Sequence, residues 1–321
     1  MKNKLNNQGI ALVTVILIIV ILVAIVIELN RSSRADIYDA ANLSDGIRLT
    51  YIAKSGFYAA SALIANSPGN YSTLHDDWAK AESLSEKSTA LFTDGYFIAR
   101  IEDETGKIPI NKLANGSEYN PEIKEILTRL LRQPEFHLDD KKIDEIIDSI
   151  KDWIDADDEV TGSGAENSYY ASLDEPYEAK NAPIDCIEEL LMVRGVTKEL
   201  FYGTKEKAGL AQFITADGEG LININTAPKM VLRALSDDIN SDKADSIDEY
   251  RRNEGNDLSD FNWYKKVPGM ENVQFKPGMI TTRSNYFKII STGKMKNMSR
   301  SISGVVNKSG QKVQTIRWRQ D

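Results

Sequence analysis

Residues 10–27 read IALVTVILIIVILVAIVI, eighteen positions without a charge. At about 1.5 Å of rise per residue, a helix of that length spans the hydrocarbon core of a bilayer. Lys2 and Lys4 precede the run, and Glu28, Arg31 and Arg34 follow it. A short basic leader, one span and a long polar remainder predict the leader on the cytoplasmic side and residues 31–321 on the other. A cleavable secretory signal would end in a small-residue processing site, and ELNRSSRAD at residues 28–36 makes a poor one. Beyond the span, Ile37, Ala40, Leu43, Ile47, Tyr51, Phe57 and Leu63 roughly continue a helical period as far as Pro68-Gly69. The reading is one helix over residues 10–67, roughly 87 Å long, whose outer half packs on something through that stripe. A plain anchor followed by a separate juxtamembrane helix is the alternative.

The whole chain has 321 residues, 41% hydrophobic and 27% charged, enough for one large or two small cores and unlike a disordered or collagen-like chain. The net charge of -9 argues against general attraction to nucleic acid. It is unevenly spread: residues 144–189 hold fifteen acidic and two basic side chains. From Gly293 onward, seven Lys or Arg face a single Asp, which reads as a solvated strand face. Cys186 is the only cysteine, so no intramolecular disulfide or multi-cysteine metal site exists; it is expected to be a small buried residue.

The remainder reads as α+β. Residues 97–101, rich in β-branched and aromatic side chains, predict a strand. A helix starts at Asn120-Pro121, with Ile123, Ile126, Leu127, Leu130 and Leu131 on one face. The next, capped by Asp139 or Asp140, carries Ile143, Ile146, Ile147, Ile150 and Ile154. Residues 154–178 lose periodicity and read as a long ordered loop, after which helices are expected from Pro183, Thr226 and Ser241. From Asn285 the chain turns to strands, with a turn at Lys308-Ser309-Gly310. There is an internal echo: DETGKIPIN (103–111) resembles DGEGLININ (217–225), and LLMVRGV (190–196) resembles YKKVPGM (264–270).

The Val-x-Gly turns of that echo mark helix-hairpin-helix units, which often hold a DNA phosphate on turn amides. A membrane-anchored helix-hairpin-helix DNA receptor is therefore the alternative function. Against it, the second glycine of a phosphate-holding hairpin is replaced by Thr197 and Glu271, and the first hairpin follows the acidic segment. That segment is the one candidate metal site. Asp155, Asp157, Asp158, Glu159, Glu166 and Asp174 offer hard oxygen ligands suited to Ca²⁺, with Asp155, Asp157 and Glu166 the chosen ligands. It is no EF-hand, because Val160 stands at the sixth loop position, and a solvated acidic surface is the plainer reading. His75 and His137, the only histidines, lack metal-ligand spacing, and there is no nucleophile elbow, Walker loop or zinc-protease motif, so no catalytic residue is assigned and no enzyme is expected.

The basic leader ending in Gly9, the apolar run and the amphipathic helix resemble the class III signal of type IV pilins and pseudopilins. The resemblance implies cleavage after Gly9 by a prepilin peptidase and methylation of the new terminus, Ile10. Most of that family carry Glu at the fifth mature position, where this chain has Thr14. KIPINKL (107–113), DWIDADDE with GAENSYY (152–170), PYEAKNAPIDCIEELLMVRGVT (176–197) and GLININTAPKMVLRAL (220–235) resemble the pseudopilin K family of type II secretion systems, whose members lack that Glu. What this implies is a pilin-like long helix with a small antiparallel sheet, and a large all-helical, helix-hairpin-helix (SAM-like) domain inserted between strands. The expected organisation is a leader over 1–9, a spine over 10–67, first strands within 68–113, the insert over 114–284 and final strands over 285–321. The resemblance further implies an inner-membrane, single-pass protein with its bulk in the periplasm, and Ca²⁺ in the insert. Its implied partners are minor pseudopilins I and J at the pseudopilus tip, with no nucleic acid.

Overall fold

The computed structural model describes residues 8–320; the expected leader falls mostly on residues 1–7, outside them. Helix α1 spans Gln8–Asn66 without a break. It ends ahead of Pro68, which disfavours helical backbone in the residue before it. Every residue from 10 to 44 is exposed, and the first buried one among the described residues is Leu49. The packed face is Leu49, Ile52, Ala53, Phe57, Ala60 and Ile64, so the expected stripe is corrected. Ile37, Ala40, Leu43, Ile47 and Tyr51 are exposed, and only Phe57 of that set is buried. At about 100° per residue, a shift of two positions from Ile47 and Tyr51 moves the contact nearly to the opposite side of the helix.

After α1 the chain passes through short α2 (Ala81–Leu84) to β1 (Tyr96–Asp103). Next come β2 (Ile108–Pro109), β3 (Ala114–Asn115), β4 (Glu118–Tyr119), α3 (Pro121–Leu131), α4 (Asp140–Ile154) and α5 (Asn167–Tyr170). There follow α6 (Lys198–Tyr202), β5 (Ile214–Thr215), β6 (Ile222–Asn223), α7 (Lys229–Ala234), α8 (Ser241–Arg252) and β7 (Ile280–Thr281). Three long strands close the chain: β8 (Tyr286–Met295), β9 (Met298–Ser309) and β10 (Lys312–Gln320).

The main sheet is antiparallel with order β1-β8-β9-β10. Its alternating residues, among them Phe97, Ala99, Ile101, Phe287, Ile289 and Ile302, pack on α1 in one apolar core with Trp78. The β1 edge is closed by side chains: Ser85 Oγ accepts from Ala99 N at 2.9 Å, and Ser88 Oγ from Phe97 N at 3.1 Å. The last hairpin turns at Gly310-Gln311, one residue later than expected, with Gly310 at φ 63°.

Between β1 and β8 lies a second unit with its own core. Ile108, Ile110 and Leu113 belong to that core, and β2 pairs in parallel with β5. The insert therefore starts at the KIPINKL run rather than at 114, and residues 68–113 supply one strand of the main sheet. α3 and α4 form as their periodicity predicts, capped by Asn120 and Asp139, with all ten expected apolar residues buried. The later starts differ. Helical backbone resumes at Ile187 as a 3₁₀ turn rather than at Pro183, and α7 begins at Lys229 rather than Thr226. Three two-residue strand pairs accompany the helices. Cys186 is only half-buried and caps that 3₁₀ turn, with its N–H donating to Glu189 Oε1.

The internal echo is structural. Ile108 and Ile222 each open a short parallel pair. Val193 (φ -80°, ψ 135°) and Val267 (φ -82°, ψ 130°) adopt the same backbone, followed by Gly195 and Gly269 at φ 86° and 81°. The insert is fastened to the spine just past the end of α1. Asn223 Nδ2 and Asn225 Nδ2 each donate to Ser72 O at 3.2 Å, and Arg283 Nε donates to Asn70 O at 2.8 Å.

Candidate metal centre

α4 buries its isoleucines and turns its C-terminal carboxylates toward the loop that follows. That loop folds back along the helix because the helix supplies acceptors for its amides. Thr161 N donates to both oxygens of Asp152 at 3.2 Å, and Ser163 N to Asp148 Oδ2 at 2.8 Å. Gly162, at φ 52°, and Gly164 permit the approach: a Cβ on either would fall within 2.4 Å of an Asp148 or Asp152 carboxylate oxygen. The return ends at Glu166, the residue before α5.

This path brings Asp155, Asp157 and Glu166 together, with one carboxylate oxygen from each lying within 4.8 Å of the others. Asp155 is 3% exposed and Glu166 1%. Asp155 Oδ1 and both Glu166 oxygens are buried without a hydrogen-bond donor. An undonated buried carboxylate is costly, and several together more so. Burial, reinforced by the charges of Asp152, Asp155, Asp158 and Asp157, raises the Glu166 carboxyl to about 8. Burial also raises Asp155, against the opposing Lys151 ammonium. Asp157 goes the other way, lowered by hydrogen bonds from Ser117 and Glu159 N.

The chemistry fits a hard cation. Oxygen ligands about 2.3–2.6 Å from a shared Ca²⁺ lie up to about 5 Å apart, the spacing these three side chains have. The other acidic candidates stand apart: Asp158 accepts from Asn167 N at 3.2 Å, while Glu159 and Asp174 are exposed. Sequence reading missed Asn181. At φ 48°, it donates from Nδ2 to Asp157 O at 2.6 Å, and its Oδ1 is buried without a donor. It also missed Lys151, whose spacing of four from Asp155 on a helix was the available signal.

The remaining sequence candidates lie elsewhere. Gly9 falls in the first turn of α1, and Ile10 is 65% exposed. Thr14 Oγ1 donates to Ile10 O at 2.9 Å, turning the hydroxyl onto its own helix. At the two hairpins, Thr197 accepts from Leu200 N as a helix cap, and Glu271 Oε1 accepts from Gly269 N at 3.2 Å. A carboxylate on the turn amide occupies the place a DNA phosphate would need.

Comparison with known proteins agrees with this architecture. Sequence profiles described as type II secretion system (T2SS), protein K, match residues 106–205 and 222–283, together just over half of the chain. The type II secretion system protein K of Aeromonas hydrophila is 27% identical over 233 residues, 68% of this chain and 66% of its own length. The putative type II secretion system protein K of Escherichia coli K12 is 25% identical over 207 residues, 61% of each. The matches thus span about two thirds or less of these relatives. In structure, the chain resembles one from the GspK-GspI-GspJ complex of the enterotoxigenic Escherichia coli type 2 secretion system. The TM-score is 0.70 at 18% identity, covering 88% of this chain and 99% of that one, which establishes a shared fold. A spine helix carrying a small sheet, an insert with paired hairpins, and profile matches along that insert lead to one conclusion: the chain belongs to the type II secretion system protein K family.

Proposed function

We propose that this protein is a minor pseudopilin at the tip of a type II secretion pseudopilus. Residues 10–27 anchor it in the inner membrane, a prepilin peptidase removes the leader after Gly9, and Ile10 becomes the methylated terminus. The bulk lies in the periplasm, where it joins minor pseudopilins I and J and helps start assembly for protein export across the outer membrane. The observation that carries this is the bonding of the insert to Asn70 and Ser72, immediately beyond the membrane-distal end of α1. An insert there crowns the spine and blocks a further subunit above it. Thr14 fits the same position: the pilin Glu pairs with a neighbour's amino terminus, and a first subunit needs no such acid.

The test is intact mass and amino-terminal sequencing of the chain recovered from membranes containing a prepilin peptidase, followed by co-purification with the two partners. A methylated terminus at Ile10 and a ternary complex are expected. A chain still beginning at Met1 and binding neither partner overturns the reading.

The same reading includes a Ca²⁺ held by Asp155, Asp157 and Glu166, supported by the undonated buried oxygens of Asp155 and Glu166. The ion would supply the positive charge those carboxylates lack and fasten the loop to α4. Since no core residue precedes Leu49 among the described residues, a fragment of residues 31–321 keeps both cores. Chelation is expected to lower its melting temperature by several degrees. An unchanged curve with no metal by elemental analysis removes calcium from the account.

A further inference from the structure

Lys151 stands one turn before the end of α4, and its side chain is only 4% exposed. Lysine is rarely buried this far unless its charge is matched. Here the ammonium donates to Asp155 Oδ2, whose side chain is fully buried, and to Thr161 Oγ1 at 2.8 Å, with the Tyr119 ring centroid 5.7 Å away. Thr161 belongs to the returning loop, and its own N–H donates to Asp152. The ammonium therefore bridges the helix end and the loop beside the cluster of Asp155, Asp157 and Glu166. By taking Oδ2 it leaves Asp155 a single oxygen, Oδ1, without a donor. Three carboxylates are then balanced by this ammonium together with one divalent cation.

We propose that Lys151 is the resident counter-cation of the metal centre. It occupies Oδ2 of Asp155 and opposes the ion's charge, and it holds the loop on α4 when no divalent ion is bound. By trimming the site's negative charge it also matches the site to a divalent rather than a trivalent cation. This inference rests on the calcium reading above.

The experiment compares the full chain in detergent with Lys151→Gln and Lys151→Arg. Calorimetric titration with Ca²⁺ and Tb³⁺ is joined to melting curves in chelator and in calcium. Lys151→Gln is expected to bind Ca²⁺ about tenfold more tightly, because one unit of opposing charge is gone, with a larger gain for Tb³⁺. Its melting temperature should fall in chelator and recover in calcium, and Lys151→Arg should restore wild-type affinity. A Gln variant that folds only in calcium supports the same conclusion. The proposal is overturned if the Gln variant melts lower by the same amount in both conditions with unchanged affinity, or does not fold even in calcium. If the wild-type chain takes up neither ion, the calcium reading fails, and this inference with it, which is a different result from unchanged affinity.

Discussion

Gly293 of β8 lies directly against the α1 backbone at Ala53: a Cβ built on the glycine would stand 2.9 Å from Ala53 N, and 2.6 Å from Leu49 O. Sheet and spine thus meet backbone to backbone at this point, with no side chain between them. Gly56 makes the reciprocal approach, facing Ser291 and the Phe97 ring. These contacts fix which face of α1 receives the sheet.

Gly293→Ala is expected to destabilise the fold by about 2–4 kcal/mol, since the obstructing atoms are main chain and cannot rotate away. Thermal unfolding of residues 31–321 measures it. A loss below about 0.5 kcal/mol would mean that sheet and helix separate freely.

Glu166→Gln should raise the melting temperature in chelator and abolish the calcium-induced rise. The substitution removes a carboxylate that burial and four neighbouring aspartates oppose, and with it a ligand. A variant that keeps the full calcium response would place the ion elsewhere.

The pH dependence follows from the same residue. The Glu166 carboxyl is raised from 4.5 to about 8, so the metal-free fold holds its proton more tightly than the unfolded chain does. Its contribution to metal-free stability is complete below 4.5 and is lost as pH rises through about 8. Asp155 is raised in the same direction. Calcium binding near neutrality should therefore release protons, and affinity should climb across that window. Titrations in buffers of different ionisation enthalpy read this directly, and a flat affinity over the range would contradict it.

Asn225→Leu should cost about 2–4 kcal/mol. The amide accepts from Trp263 Nε1 at 2.7 Å and donates to Leu258 O at 3.2 Å, all buried. Asn111 does the equivalent work in the other half of the echo, bonding Ile184 N and O at 2.8 and 2.9 Å. Chemical denaturation is the measurement, and Asn111→Leu should show a loss of similar size. A negligible loss in both would mean that these asparagines do not fasten their halves of the insert.

Legibility in the sequence tracks how local each determinant is. The α3 and α4 faces and the Asn120 cap are legible because they depend on neighbours within four residues, whereas the structure chooses Asp139 over Asp140 as the α4 cap. The packed stripe on α1 is not legible in the sequence because apolar residues continue around the helix there, and only the sheet selects among them. The insert boundary is not legible either, because Ile108 joins its core through Ile214, more than a hundred residues away. At the candidate metal centre, acid density singles out the carboxylates that the fold gathers, whereas Lys151 and Asn181 reach them through a loop path that spacing alone does not trace.

The sequence by itself determined the apolar span, the faces of α3 and α4, the paired hairpin motifs and the resemblance to the family. Each is written in composition, periodicity or motif over short stretches, whereas only the structure joins span and spine in one unbroken α1. Tertiary structure decided the side of α1 that packs, the crowning of its far end through Asn223 and Asn225, and the arrangement of Asp155, Asp157 and Glu166 around undonated oxygens. Those depend on where distant backbone returns, and the burial that raises the Glu166 carboxyl exists only once it has returned.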